Sequence, residues 1–472
     1  MVLNEAKKNK KPYKPAGKPA EQRRKPAHSE KESGPFKAGL EVRVTAAKLL
    51  AAVVDRKISL DGMLDLVHGN PAYRALSDAD RALTRAILNT ALRHLPRIEA
   101  AIASLIDTPL PEGARALHHV LVIAAAQILH LDVPPHAAVD LAVEQANRDP
   151  RNRRFAKLVN AVLRRLDREK DEILTATATI SPVPAWFRKR LVALYGEAEA
   201  DRIAEAQLVP AAIDLTVKSD PAAWAEKLGG TVLPTGSIRL AAFDGAVSAL
   251  EGFDEGVWWV QDVAASIPAK LFGDLKGKKV ADLCAAPGGK TAQLIAAGAE
   301  VIAVEQSVNR LARLKENLGR LGYEAELVSG DLFDFKPAEL LDGVLLDAPC
   351  SSTGTTRRHP DVFWTKGPED VTKLAALQEK MLRHAVTLVK SGGIIVFSNC
   401  SLDSLEGEEL VVRVLKDHPE LKRVAVNPED WPGLEGAISP LGEFRTTPAM
   451  LPASENFVGG MDGFFASVLQ VR

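Results

Sequence analysis

The sequence predicts an α/β protein in three parts, and three patterns of residues support this fold class. From about residue 39 to 171, apolar residues recur at helical spacing, which is typical of a helical bundle. Residues 172–256 combine a helix with short alternating strands and predict a small α+β module. From residue 257 onward strands alternate with helices, which favours a parallel sheet with helices on both faces.

The bulk composition is that of a soluble globular protein. The chain has 472 residues, of which 46% are hydrophobic and 26% charged, and its net charge is −1. No apolar run has the length of a membrane span, and no apolar segment follows the N-terminal charges as in a secretory signal. The three cysteines stand in three distant motifs, so we expect free thiols and a reducing cytoplasm, without a disulfide framework.

The first 38 residues are rich in Lys, Arg, Pro and Gly and predict a disordered basic tail. Such a tail either strengthens binding to RNA phosphates or only keeps the chain solvated. In the helical region, Ser77 predicts a helix start, and Pro134 and Pro150 predict breaks. The end of this region carries a group of basic residues, interpreted either as an RNA contact or as a solvated face: Arg151, Arg153, Arg154, Lys157, Arg164 and Arg165.

In the middle module, short strands are predicted at Ala212–Val217 and Ser237–Leu240. Six strands are predicted in the third part: Lys279–Leu283, Val301–Glu305, Glu326–Ser329, Gly343–Asp347, Gly393–Ser398 and Phe464–Gln470.

A glycine-rich turn follows the first strand of the third part. Cys284–Gly289 leads from Asp282 into a helix that begins at Lys290, and free N–H groups at a helix start bind carboxylates or phosphates. Glu305, at the end of the next strand, is placed to bind ribose hydroxyls, and Asp331 to meet an adenine edge.

This turn has three other interpretations: a P-loop, a dinucleotide-binding turn and a turn without ligand. Gly289-Lys290-Thr291 fits the end of a nucleotide-binding P-loop, but Cys284 stands where that loop needs its first glycine. The dinucleotide pattern is absent, and a turn without ligand remains the third alternative. We therefore expect S-adenosylmethionine as the cofactor.

Two cysteines follow two predicted parallel strands. Cys350 stands in Asp347-Ala348-Pro349-Cys350 and Cys400 in Asn399-Cys400-Ser401, so both are aimed at the crevice where open α/β sheets bind ligands. Carbon 5 of cytosine becomes nucleophilic when a thiolate adds to carbon 6, and the ring nitrogen then needs an acid. Two thiols beside Asp347 therefore suggest cytosine methylation through a covalent adduct. Cys284, in the turn, is interpreted mainly as a packing residue.

Four motifs resemble the Sun-family RNA cytosine-C5 methyltransferases: Asp282–Thr291, Asp347–Gly354, Arg357–Asp361 and Ser398–Leu402. The resemblance points to the bacterial subgroup that acts on small-subunit (16S) rRNA. Members of that subgroup also carry a NusB-like RNA-binding helical domain, which the helical region here resembles at Asp80–Arg85 and Phe155–Arg165.

The resemblance implies a role for each site residue. Cys400 is the nucleophile, Cys350 assists release of 5-methylcytosine, and Asp347 contacts the cytosine ring nitrogen. Because DNA enzymes use the Pro-Cys thiol as nucleophile instead, this assignment rests on the resemblance alone. The residues implied in S-adenosylmethionine binding are Cys284, Ala285, Ala286, Pro287, Gly288, Gly289, Lys290, Glu305, Arg310, Asp331 and Asp347.

The resemblance further implies RNA, specifically small-subunit rRNA, as partner, and a small RNA-recognition-like module at residues 172–256. We also expect a cytoplasmic monomer that binds neither metal nor membrane. Asn399, Ser352 and Glu305 depart from the residues that the family usually has, without removing the needed chemistry. Arg357 and Arg358 are expected to contact phosphates, and adjacent His359 either touches RNA or caps its loop. Two functions compete with this interpretation: a non-catalytic RNA-binding or antitermination factor, and a DNA cytosine-5 methyltransferase.

Overall fold

A computed structural model describes residues 37–241, 245–454 and 457–472. The predicted basic tail lies outside these residues except for its last two positions. The expected helical domain is confirmed, and its helices are α1 (Leu40–Arg56), α2 (Leu60–Leu64), α3 (Pro71–Arg74), α4 (Asp78–Arg93), α5 (Leu95–Ser104), α6 (Arg115–His130), α7 (Pro135–Arg148), α8 (Ala156–Arg168) and α9 (Lys170–Thr177).

Helix α6 is the centre of this domain. It is buried on nearly all sides, with Ala124, Ala125 and Ala126 at most 2% exposed, because it contacts α1, α4, α5, α7 and α8. The predicted start of α4 is also found, since Ser77 Oγ accepts a hydrogen bond from the backbone N–H of Asp80 at 3.2 Å. Helix packing around one buried helix thus accounts for the bundle.

The middle module is a small antiparallel sheet with helices before and within it. The helices are α10 (Ala185–Tyr195), α11 (Glu197–Ala206) and α12 (Pro221–Leu228), and the strands are β1 (Asp214–Val217), β2 (Gly230–Val232), β3 (Ile238–Leu240) and β4 (Trp258–Val260). The strand order is β2-β3-β1-β4.

Strand β4 corrects the predicted division between the second and third parts. The sequence predicts that the third part begins at residue 257, but β4 pairs antiparallel with β1 of the small sheet, with Thr216 opposite Trp259. The fully buried indole of Trp258 lies in the core of the small sheet with Leu215 and Ile238, which explains this pairing. The small sheet therefore extends past residue 256.

The large sheet contains all six predicted strands and two that were not predicted. Its strands are β5 (Lys279–Leu283), β6 (Glu300–Glu305), β7 (Glu326–Ser329), β8 (Leu341–Asp347), β9 (Val389–Asn399), β10 (Leu421–Val424), β11 (Phe444–Thr446) and β12 (Phe464–Val471). Its helices are α13 (Ile267–Lys270), α14 (Gly289–Ala296), α15 (Val308–Arg320), α16 (Val362–Thr365), α17 (Pro368–Val386) and α18 (Glu408–Asp417).

The order of the large sheet is β10-β12-β9-β8-β5-β6-β7, with β11 paired to β12. Strands β5 to β9 are parallel, whereas β12 runs antiparallel between β9 and β10. The direction of strand order reverses at β5, which lies between β6 and β8. Ligands of open α/β sheets bind beyond the carboxyl ends of the strands at such a switch point.

The helical domain contacts the segment that follows the Cys350 loop. Trp364 Nε1 donates to the Leu92 carbonyl at 3.0 Å, Asp361 accepts the Leu60 N–H at 3.0 Å, and Arg93 donates to the Arg357 carbonyl at 2.7 Å. In the part of the chain that the structure describes, no helix is long and apolar enough to cross a membrane.

Candidate active site

The two predicted thiols meet at the carboxyl ends of β8 and β9. These strands are parallel neighbours with Asp347 opposite Ser398, so the loops that follow them leave the sheet side by side. The Sγ atoms of Cys350 and Cys400 are 3.4 Å apart, and the Gly354 N–H donates to the Cys400 carbonyl at 2.9 Å. Both thiols can therefore reach one substrate ring.

A carboxylate and an ammonium group lie beside the thiols. Lys290 Nζ donates to Asp347 Oδ2 at 2.8 Å, and Ser398 Oγ donates to Asp347 Oδ1 at 3.0 Å. Burial opposes the charge on Lys290, but the carboxylates of Asp347 and Asp282 outweigh it and raise the pKa of the ammonium group. Lys290 is therefore a protonated donor held against Asp347.

The environment of Cys350 keeps its thiol protonated. The hydrogen bond to Cys400, burial, and the nearby charges of Cys400 and Glu406 raise the pKa of Cys350 well above its usual range. The charged form of Cys350 is therefore disfavoured while the hydrogen bond between the two thiols persists.

The predicted glycine-rich turn connects β5 to α14. Cys284 and Gly288 have positive φ values of 67° and 102°, and the Ala285 N–H donates to the Val304 carbonyl at 3.1 Å. A Cβ atom at Gly288 would lie 3.2 Å from Leu314 Cγ, so this tight turn favours glycine. The first backbone N–H groups of α14 have no hydrogen-bond partner within the helix and point toward the turn.

The turn and the two thiols border a cleft of about 530 Å³, within the range of about 300–1,000 Å³ that is usual for small-molecule sites. Glu305, 3% exposed, ends β6 at the cleft and accepts the Ser307 N–H at 3.0 Å. Predicted site residues that line it are Cys284, Ala286, Glu305, Arg310, Asp331, Asp347, Cys350 and Cys400. Ala285, Pro287, Gly288, Gly289 and Lys290 are not among its lining residues.

The cleft fits S-adenosylmethionine by the chemistry of its walls. The carboxylate of Glu305 can accept hydrogen bonds from a ribose diol, while Leu332 and Phe333 supply apolar surface for an adenine ring. Asp331 Oδ1 accepts the Phe333 N–H at 3.0 Å, which holds that carboxylate at the rim. Arg310 donates to the Ala286 carbonyl at 2.7 Å and so ties α15 to the turn.

One buried residue beneath both thiol loops was not predicted from the sequence. Glu406 is 0% exposed, and its carboxylate accepts hydrogen bonds from residues of the Cys350 loop and of the Cys400 loop. The only sequence signal would have been an acidic residue shortly after the Cys400 motif, in a segment with many acidic residues. Its position depends on the tertiary structure.

Comparison with known proteins identifies the family. Residues 273–470 match the 16S rRNA methyltransferase RsmB/F family, and residues 40–168 match the NusB family. The chain is 34% identical over 451 residues to ribosomal RNA small subunit methyltransferase B of Vibrio vulnificus (strain YJ016), an alignment that covers 91% of this chain and 99% of that relative. The chain belongs to the 16S rRNA methyltransferase RsmB/F family.

Solved structures agree on the fold. The crystal structure of PH0851 superposes with a TM-score of 0.68 at 20% identity, covering 92% of this chain and 99% of that one. The crystal structure of NSun6 from Pyrococcus horikoshii with SFG has a TM-score of 0.51 at 18% identity, covering 61% of this chain and 98% of that one. At these identities the likeness establishes the fold alone.

Family membership confirms the predicted class of enzyme. The chain is an S-adenosylmethionine-dependent rRNA methyltransferase that forms 5-methylcytosine, with a NusB domain before a Rossmann-like domain. The competing interpretations, a non-catalytic factor and a DNA methyltransferase, do not agree with this membership. Among the described residues, no three His, Cys, Asp or Glu side chains are grouped so as to hold a metal ion.

The expectation that Arg357 and Arg358 contact phosphates is wrong. Arg357 is 2% exposed and donates to the carbonyls of Val209 at 3.2 Å and Gly459 at 2.8 Å. Arg358 forms ion pairs with the buried Asp262 and Asp462. Both guanidinium groups therefore form their hydrogen bonds and ion pairs within the protein.

His359 and Cys284 also have defined surroundings. His359 Nδ1 lies 3.5 Å from Asp61 of the helical domain, and the hydrogen bond to Asp61 raises the pKa of the imidazole. The hydrogen-bond partner of His359 thus lies in the helical domain. The sequence predicted contact with RNA or a cap of its own loop, and neither includes this contact. Burial raises the pKa of Cys284 to about 12, and the side chain contacts the sheet core, in agreement with a packing role.

Replacing Glu305 with alanine is expected to weaken binding of S-adenosylmethionine by about 10- to 100-fold. A hydrogen bond to a charged group contributes about 1.5–3 kcal/mol, and about 1.4 kcal/mol corresponds to tenfold in Kd. Titration calorimetry with the cofactor alone measures the change. Glu300→Ala, at the exposed start of the same strand, is the control, and equal Kd values for the two variants would contradict the assignment.

Asp282 is expected to make stability depend on pH. Burial raises the pKa of Asp282 to about 7, whereas the pKa of an aspartate in the unfolded chain is about 3.9. Between these values the folded protein retains a proton that the unfolded chain has lost, so the free energy of unfolding falls as the pH rises through this window. Asp282→Asn cannot ionise, so we expect its stability relative to wild type to increase from about pH 5 to about pH 8.

Thermal unfolding of both proteins across this pH range measures the difference. Glu300→Gln controls for the loss of a surface charge. A difference in melting temperature that stays constant with pH would show that Asp282 titrates alike in the folded and unfolded states.

Proposed function

We propose that this enzyme methylates carbon 5 of one cytosine in small-subunit rRNA through a covalent adduct on Cys400, with Cys350 as the group that allows release. The observation that carries the proposal is the 3.4 Å separation of the two Sγ atoms beside the Asp347–Lys290 pair. One thiol can bond carbon 6 while the other lies near carbon 5, because these are adjacent atoms of the ring.

The first step forms a bond between Cys400 Sγ and carbon 6. Cys400 reacts as the thiolate after its proton has passed to solvent. The electron pair of the carbon 5–carbon 6 double bond shifts to carbon 4–carbon 5, and the pair of the nitrogen–carbon 4 double bond moves to the ring nitrogen, which takes up a proton. Asp347 contacts that nitrogen, and Lys290, whose Nζ is 2.8 Å from Asp347 Oδ2, is the protonated donor that supports it. General acid assistance of this kind contributes about 10²–10⁴-fold to a rate.

S-adenosylmethionine supplies the methyl group as an electrophilic sulfonium substituent. Carbon 5 then carries both the methyl group and a proton, and this proton must leave before the thiolate can depart. Bonding of Cys400 to carbon 6 ends the hydrogen bond between the two thiols, which is the largest cause of the raised pKa of Cys350. Cys350 then releases its thiol proton to solvent and, as the thiolate, accepts the carbon-5 proton. The electron pair of the carbon 5–hydrogen bond re-forms the carbon 5–carbon 6 double bond, the carbon 6–sulfur bond breaks, and Cys400 leaves as the thiolate.

Exposed basic residues of α8 are proposed as RNA contacts. Lys157, Arg164 and Arg168 are exposed on this helix, and basic side chains on one helix neutralise RNA phosphates. Arg165 and Arg168 both pair with Glu169, at 2.9 and 3.2 Å, and so contribute less than Lys157 and Arg164. The cytoplasmic location, the monomeric state and the remaining domain limits stay predictions of the sequence.

The function is tested by incubating the purified enzyme with S-adenosylmethionine carrying a labelled methyl group and unmodified small-subunit rRNA. We expect label in one cytosine, recovered as 5-methylcytidine after nuclease digestion and mass spectrometry. DNA of the same sequence is the control. Label in DNA but not in RNA, or no label in any RNA, would overturn the proposal.

A further inference from the structure

The carboxylate of Glu406 has four hydrogen-bond donors in the buried space beneath the active-site loops. Oε1 accepts the Ser351 N–H at 2.9 Å and Gln378 Nε2 at 2.7 Å. Oε2 accepts the hydroxyl groups of Ser351 at 2.5 Å and Ser401 at 2.6 Å. Four neutral donors on one fully buried carboxylate make a rigid and directional site.

Both donating serines are the neighbours of the active-site thiols in the sequence. Ser351 follows Cys350, and Ser401 follows Cys400, so one carboxylate connects the two loops. A second connection reinforces the Cys400 loop, because Asn399 Nδ2 donates to the Glu406 carbonyl at 2.6 Å while its Oδ1 accepts the Ser401 N–H at 2.9 Å. A shift of the carboxylate would therefore move both thiols.

We propose that Glu406 is a positioning residue that sets the separation of Cys350 and Cys400 by holding the two loops that carry them. The proposal rests on the roles proposed above for the two cysteines. The hydrogen bonds from both loops to one buried carboxylate support it.

The charge of Glu406 is one of the causes that raise the pKa of Cys350, together with the hydrogen bond to Cys400 and burial. If both thiols ionised in the free enzyme, their mutual repulsion would open the 3.4 Å contact. The two Sγ atoms instead share a hydrogen bond at 3.4 Å, and Glu406 holds the loops that bring them together.

The test uses the full-length enzyme and Glu406→Gln, which keeps the size of the side chain and removes the charge. The first measurement is alkylation of Cys350 by iodoacetamide as a function of pH, followed by peptide mass spectrometry. We expect the midpoint for Cys350 to move to lower pH in Glu406→Gln, because loosening of the loops weakens the hydrogen bond to Cys400 and the charge of Glu406 is removed. Glu409→Gln, exposed in the same segment, is the matched control.

The second measurement is single-turnover methyl transfer to small-subunit rRNA. Misplacement of reacting groups by about 1 Å lowers rates about 10²-fold, so we expect a loss of this size in Glu406→Gln with an unchanged KM for RNA. An unchanged alkylation profile would overturn the proposal, whatever the activity. Because alkylation needs no RNA, a wild-type enzyme that fails to methylate rRNA would refute the proposed function without deciding the role of Glu406.

If Glu406→Gln does not fold, two serine variants test the same positioning role. Ser351→Ala and Ser401→Ala each remove hydroxyl donation to the carboxylate on one loop only. We expect each to reduce single-turnover methyl transfer about tenfold, as the loss of about one hydrogen bond of 1.5 kcal/mol to a charged group implies. Methyl transfer at the wild-type rate in both serine variants would overturn the positioning role.

Discussion

Cys400→Ala is expected to abolish methyl transfer, whereas Cys350→Ala is expected to leave the enzyme covalently attached to its RNA. Without Cys400 no adduct forms at carbon 6, and carbon 5 stays a weak nucleophile. Without Cys350 the adduct forms and accepts the methyl group, but the carbon-5 proton has no acceptor at the site. The two thiols are 3.4 Å apart, yet Cys400→Ala blocks the first step, adduct formation, and Cys350→Ala blocks the last step, release.

Denaturing gel electrophoresis after incubation with S-adenosylmethionine and unmodified small-subunit rRNA separates these outcomes. Cys350→Ala should give a slowly migrating band that disappears on nuclease treatment, and Cys400→Ala should give neither band nor methylated RNA. Thr372→Ala, on the exposed surface of α17, is the control. A trapped band with Cys400→Ala would identify Cys350 as the nucleophile, as in the DNA enzymes.

Arg239→Met is expected to lower the free energy of unfolding by about 3–5 kcal/mol, the usual effect of removing one partner of a buried ion pair. Arg239 is 1% exposed and donates to Asp214, 0% exposed, through two hydrogen bonds of 2.7 and 2.8 Å. It also donates to the carbonyls of Val458 at 2.8 Å and Gly460 at 2.7 Å. Its removal leaves a carboxylate and two carbonyls without these donors, between the small sheet and the C-terminal segment.

Urea denaturation followed by tryptophan fluorescence measures this loss, since Trp258 and Trp259 lie in the same small sheet. Adding Asp214→Asn to Arg239→Met should recover part of the stability, because the uncompensated charge is then removed. Lys227→Met, which breaks an exposed ion pair with Glu251 in the same module, is the control and should change stability by less than about 1 kcal/mol. Equal losses in the free energy of unfolding for Arg239→Met and Lys227→Met would show that burial does not decide the size of the effect.

Much of the fold could be predicted because it is encoded locally. The apolar strands that end at Asp347 and Ser398 have their period and length in the sequence, and parallel neighbours end at the same edge of a sheet. The convergence of Cys350 and Cys400 follows from that rule alone. Strand β4 was not predicted, because its three residues are too few to show a strand pattern or to indicate which sheet they join.

Most strands, the cofactor turn and the two cysteine motifs could be predicted from the sequence, since each of them depends on residues that are close in the chain. The surroundings of the charged groups depend instead on tertiary contacts. Arg358 is an internal cation only because Asp262 and Asp462 come together from distant positions, and Glu406 reaches both loops only because α17 and β9 enclose it. A charged side chain is exposed by default, and its burial depends on partners that local patterns do not encode.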